Sequence, residues 1–99
     1  MKYKVTRDKY LARRGSHFKI YQIKCSNCKS VITKYQKDGP GVIKRLYLDR
    51  MIDFHTKPRK SKLICEVCNS LIGTYYIYKP EKRPAYRLPI GTISKSLIE

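Results

Sequence analysis

A small β-rich domain with a minor helical part is what three features of this 99-residue chain predict. Its length allows one domain, and a chain this short buries too little surface for a large core. Its only four cysteines fall as two matched pairs, Cys25-Ser-Asn-Cys28 and Cys65-Glu-Val-Cys68. Around each pair the side chains suit short strands, apolar and polar in rough alternation before the first and β-branched and aromatic after the second.

Two C-x2-C pairs divided by a long insert are the ligand pattern of a closed, tetrahedral four-cysteine zinc site. Each pair holds two thiolates on one side of the metal. The opposing pair completes the tetrahedron and leaves no position for water or substrate, so the expected role of one Zn2+ at Cys25, Cys28, Cys65 and Cys68 is structural. Two disulfides or two free redox pairs are the alternatives. Met1 to Arg14 is basic and lacks the apolar core of a signal peptide, and no apolar run suffices to span a bilayer. The expectation is therefore a cytoplasmic chain, where paired C-x2-C reads as metal and not as disulfide. A thioredoxin-like pair would need a βαβ context that short hairpins do not supply.

The pairs sit in related surroundings. Cys25-Ser-Asn-Cys28-Lys-Ser-Val-Ile-Thr-Lys-Tyr35 aligns with Cys65-Glu-Val-Cys68-Asn-Ser-Leu-Ile-Gly-Thr-Tyr75, and Ser30/Ser70, Val31/Leu71, Ile32/Ile72 and Tyr35/Tyr75 recur in step. The simplest reading is two knuckles, each a tight turn that feeds a strand.

In chain order, residues 1–16 read as an extended basic arm, too poor in apolar content to fold alone. Residues 17–24, with Phe18, Ile20 and Ile23 apolar, fit a strand delivering the first knuckle, and 31–36 its return. Lys37-Asp38-Gly39-Pro40-Gly41 is a turn that opens a basic insert, 37–62. Within it, 41–47 suits one or two helical turns followed by extended chain, although 46, 48 and 52 also allow a strand, and 57–62 a basic loop. Leu63-Ile64 enters the second knuckle and 71–78 leaves it as a strand. Pro80, Pro84 and Pro89 then predict an irregular tail over 79–99, docked by Ile90, Ile93, Leu97 and Ile98.

Charge is the second strong signal. The chain carries 23 Lys and Arg against 7 Asp and Glu, a net of +16. An excess of this size self-repels in a compact state and points to a polyanion partner. It is concentrated in the arm, at Lys2, Lys4, Arg7, Lys9, Arg13 and Arg14, and in the insert, at Lys37, Lys44, Arg45, Arg50, Lys57, Arg59, Lys60 and Lys62. These fourteen are the candidate nucleic-acid contacts. Nine tyrosines are interleaved with the cations; those at 75, 76 and 78 read as sheet packing more than as base-stacking platforms. Catalysis has little to stand on. His17 and His55 adjoin no nucleophile in sequence, and no phosphate-binding glycine loop or H-E-x-x-H motif occurs. Asp49, close to Arg45 and Arg50, reads as local ion pairing.

With its paired knuckles and cysteines, the segment 17–78 resembles the zinc-ribbon class, and within it the small, very basic ribbons of ribosomal proteins. Many ribbons carry glycine after each second cysteine, where Lys29 and Asn69 stand here; Lys29 would be strained in a left-handed conformation, which predicts an irregular first knuckle. The resemblance implies a structural RNA-binding component that contacts rRNA phosphates and neighbouring ribosomal proteins, with no membrane and no small-molecule substrate. A DNA-binding or transcription-associated ribbon, or a protein-interaction zinc module, is the alternative. A major-groove reader would need a polar recognition helix, and the one candidate, around 42–52, is mostly apolar and basic.

Overall fold

Phe18, Ile20 and Ile23 do fall in a strand, β1 (Phe18–Cys25); Ile20 and Ile23 are fully buried but, three positions apart, on opposite faces, and of the two only Ile23 joins the main core cluster. The computed structural model describes residues 5–54 and 61–98. β1 turns through the first cysteine pair into β2 (Val31–Asp38), and β5 (Lys62–Ile64) turns through the second into β6 (Leu71–Tyr78). The two hairpins share more than sequence. In the first, Ile23 faces Thr33 but Lys24 faces Val31; in the second, Leu63 faces Gly73 but Ile64 faces Leu71. Each therefore slips register at the same step before its cysteine, which re-aims both knuckles alike.

Each hairpin is extended into a four-stranded antiparallel sheet. The first has the order β4-β2-β1-β8 and the second β3-β7-β6-β5, where β3 is Arg45–Tyr47, β4 Met51–Ile52, β7 Arg83–Arg87 and β8 Ile93–Leu97. β3 follows the first hairpin in sequence yet joins the second sheet, beside β7. β8 follows the second hairpin yet joins the first sheet, beside β1. Each sheet thus holds a strand from the other half. The shared core contains Ile23, Ile32, Tyr35, Leu46, Leu63, Ile72 and Tyr86, with Cys25 and Cys65 among them.

Three expectations need correction. Helical turns at 41–47 do not form: Gly41 and residues 42–44 are irregular, 45–47 is β3, and a 3-10 turn (Leu48–Arg50) leads into β4. A helix would have put Val42 on the buried side with Leu46, but Val42 is 68% exposed while Leu46 is fully buried in a strand.

The tail is not irregular, because β7 and β8 are strands of the two sheets. Pro84 falls one residue beyond the last residue of β7 that pairs with β3, so on that side its missing N–H costs no ladder bond. Of the expected docking residues, Ile93 packs against the core and the Ile98 N–H donates to the Ile20 carbonyl at 2.7 Å. Ile90 and Leu97 are exposed.

The third correction concerns the arm, which is not extended over its described part. Lys9–Arg13 is a helix, α1, capped by the Asp8 carboxylate, which accepts from Tyr10 and Leu11 N–H. Leu11 is buried. Gln36 clasps the segment from β2, accepting from Thr6 N–H and donating to the Thr6 carbonyl, both at 2.8 Å.

Candidate metal centre and cationic surface

The knuckles are built by the same two backbone hydrogen bonds. Lys29 N–H donates to Cys25 O and Asn69 N–H to Cys65 O at 2.8 Å; Cys25 and Cys65 N–H donate to Ser30 and Ser70 O at 2.9 Å. Both turns need a left-handed residue after the second cysteine, and Lys29 (φ 66°) and Asn69 (φ 62°) supply it alike. The expected irregularity of the first knuckle is absent. Lys29 accepts the left-handed cost, on the order of 1 kcal/mol, because the turn around it is fully hydrogen-bonded.

All four Sγ atoms lie within 4.8 Å of one another, with Cys25–Cys68 and Cys28–Cys65 at 3.6 Å. Four thiolates about 2.3 Å from a tetrahedral metal would be about 3.8 Å apart, so the cluster is close to the size a metal requires. None of the cysteines is in a disulfide. Cys25 and Cys65 are buried and Cys28 and Cys68 half-buried. The sulfurs are unequal as acids. Ser70, 3.1 Å from the Cys68 sulfur and itself held by the Asn27 amide of the other knuckle, is the main cause that brings the Cys68 thiol down to about 5, with Asn27 next. Ser30 lowers the Cys28 thiol in the same way, whereas burial pushes Cys65 up to about 11. A cation among them is what would let all four ionise together. The four cysteines can therefore hold one metal ion.

A third segment braces the knuckles. The Ser26 hydroxyl donates to the Gly91 carbonyl, Ser26 N–H to Thr92 O at 3.1 Å, and the Thr92 hydroxyl to Ile72 O at 2.9 Å. Thr92 thus touches both halves just before β8. No sequence pattern marked it.

No protein-family model matches the chain, and no curated protein or solved structure matches it either. Fold and site define the class on their own: a small two-sheet β protein in which a pair of equivalent hairpins brings four cysteines to one metal-binding cluster. No helix among the described residues is long and apolar enough to cross a membrane.

The cations expected to meet nucleic acid divide into distinct groups. Arg50 is buried, its guanidinium paired with Asp8 at 2.7 Å, Asp38 at 2.8 Å and Asp49 at 3.5 Å. Arg14 makes two 3.1 Å bonds to Glu81. Lys37 donates to three carbonyls of its own turn, those of Asp38, Gly39 and Pro40, each at 3.1 Å. These three are engaged within the fold and correct the expectation of free contacts. Arg7 lies over the Phe18 ring, and Lys9 and Arg13 flank Tyr10. Lys44 and Lys62 are exposed and Arg45 half-buried. Lys2, Lys4, Lys57, Arg59 and Lys60, like His55 and most of the 57–62 loop, lie outside the described residues.

Sequence reasoning missed Arg83 and Arg87. Arg83 is buried between the Tyr47 and Tyr10 rings, 3.7 and 4.2 Å from their centroids, and pairs with Asp49 at 2.7 Å and Glu81 at 3.0 Å. The alternation Arg83-x-Ala85-x-Arg87 was the available strand signal, masked by Pro84 within it and by Pro80 and Pro89 on either side. Asp49 is an ion-pairing residue, as its surroundings implied, but its partners are Arg50 and Arg83.

Proposed function

We propose that this is a structural RNA-binding protein, most concretely a ribosomal or ribosome-associated zinc-ribbon component, with one zinc ion at Cys25, Cys28, Cys65 and Cys68. Zinc is the natural occupant of a closed set of four thiolates, and with its tetrahedron filled by protein it supplies rigidity and no open position for chemistry. The reading rests on one observation above all, the way the fold distributes its charges. Four of the 7 acids, Asp8, Asp38, Asp49 and Glu81, are drawn into a network with Arg14, Arg50 and Arg83. Only Asp53, Glu66 and Glu99 remain to balance every other lysine and arginine of the chain. The surface is thus more one-sided than the +16 total conveys, and such a field favours a phosphate backbone. A DNA-reading role has less support, since the segment around 42–52 is strand and 3-10 turn and presents no recognition helix.

Fractionation of a lysate with and without RNase tests the reading. The protein is expected to co-sediment with ribonucleoprotein, to leave it at high salt, and to lose it on RNase treatment. Each phosphate contact should contribute about −0.7 to −0.9 to the slope of log K against log salt. Association that survives RNase would point instead to an acidic protein partner and overturn the proposal.

A further inference from the structure

We infer that the outer face of the second sheet, where β3, β7 and β6 meet, is the surface on which this protein takes up single-stranded RNA. The inference rests on the RNA-binding reading and says which face carries it. Arg45 and Arg87 stand directly opposite each other across β3 and β7. Like charges in that position repel, and among the described residues no ion pair joins either arginine to a carboxylate. The contrast lies on the same strand: Arg83, at the other end of β7, is paired with Asp49 and Glu81 and covered by Tyr10 of α1. One end of the sheet face is neutralised from within; the other is left cationic and open.

Tyrosines hold that open end in place. The Arg45 guanidinium lies 4.2 Å from the centroid of the Tyr78 ring, and its Nε donates to the Tyr76 hydroxyl at 2.9 Å. Arg87 lies 4.6 Å from the centroid of Tyr76. Alternation along β6 and β7 puts Tyr76, Tyr78 and Arg87 on this face. The result is a groove of about 470 Å³, rimmed by the exposed Lys44 and Lys79. A guanidinium pre-set by an aromatic ring loses little freedom on binding a phosphate. Its outward face can also take an unstacked base, which a duplex does not offer. Paired, unneutralised arginines on tyrosines at the floor and lysines at the rim therefore suit a single strand, with phosphates on the cations and bases against the planar groups.

The test is fluorescence anisotropy on the intact, metal-loaded protein with a mixed-sequence 12-nucleotide single-stranded RNA as probe. The combined variant Lys44→Ala, Lys79→Ala, Arg87→Ala should weaken binding at least about tenfold and flatten the salt slope by about 2, for three phosphate contacts at about 0.7 each. A control with equal charge loss on the first sheet, Lys19→Ala, Lys24→Ala, Lys95→Ala, should change affinity much less. Equal losses from the two variants would mean diffuse attraction and overturn the assignment, while leaving RNA binding itself in place. No binding by the unmodified protein would overturn both. Arg87→Lys separates the sources of affinity: it should weaken RNA binding severalfold and leave inorganic polyphosphate binding unchanged. Equal effects on the two ligands would remove the base from the site. Metal content and melting temperature, matched across all variants, keep these outcomes distinct from misfolding.

Discussion

Arg50 has almost no exposed side-chain surface, yet it carries a full charge among Asp8, Asp38 and Asp49. Removing that charge from water is tolerable only because the carboxylates satisfy its donors. Arg50→Ala would leave Asp38, itself buried, without its counter-ion, and should cost about 3–5 kcal/mol in urea unfolding. Asp8 gives the same network a pH dependence. Its hydrogen bond to Arg50 brings its pKa from the usual 3.8 to about 2. A value lower in the folded state than in the unfolded one means stabilisation that is complete above about pH 4 and fades as pH falls toward 2. Asp8→Asn should therefore flatten the fall in melting temperature across that interval. Thiol protonation is common to both proteins, so the difference between their melting curves isolates Asp8. Little of this was legible in the sequence. Asp49 could be matched with Arg50 because they are neighbours in the chain, but Asp8 and Asp38 reach Arg50 only through the tertiary fold.

The hairpins were the legible elements, because four cysteines and the residues in step with them fixed two local structures that need no distant partner to be recognised. β7 and β8 were not legible, and β3 only as the alternative to a helix. Each is short, and its inward side is defined by a strand remote in sequence: Leu46 is inward only because β7 lies beside it, and the prolines near β7 read as breakers when they sit where few ladder bonds are needed. The matched hairpins also differ at one register position that tests the fit of the second sheet. Thr33 donates its hydroxyl to Ile52 O at 2.7 Å, whereas Gly73 at the equivalent site lies so near β7 that an added Cβ would come within 2.9 Å of Arg87 O. The obstacle is backbone, which cannot rotate away. Gly73→Ala should therefore destabilise by about 1–3 kcal/mol, read from the urea midpoint, and should loosen β7 from β6 in amide exchange.

The proposed zinc would hold the whole molecule together, because Cys25 and Cys65 are part of the core that the sheets share. Metal binding to such a site contributes about 10–16 kcal/mol, comparable with or above the total stability of a domain, about 5–15 kcal/mol. Zinc removal by a chelator should accordingly abolish the β-sheet circular dichroism of the whole protein, and restoring zinc should return it. Elemental analysis should find one zinc per chain. Cys65→Ser should unfold the protein, and an unchanged melting curve for that variant would contradict the structural role. The exchange of strands between the halves has a further consequence, for the order in which the chain can assemble. β8 must find β1 across roughly 70 residues, a slow search for a disordered polymer. Once the four sulfurs are gathered on one ion, the shortest path from β1 to β8 runs through the metal and spans roughly 25 residues, which lowers the entropy of closing that loop by about 1 kcal/mol. The proposed ion would then serve as a shortcut through the chain, and zinc present during refolding should speed the closing of the first sheet as well as stabilise the finished one.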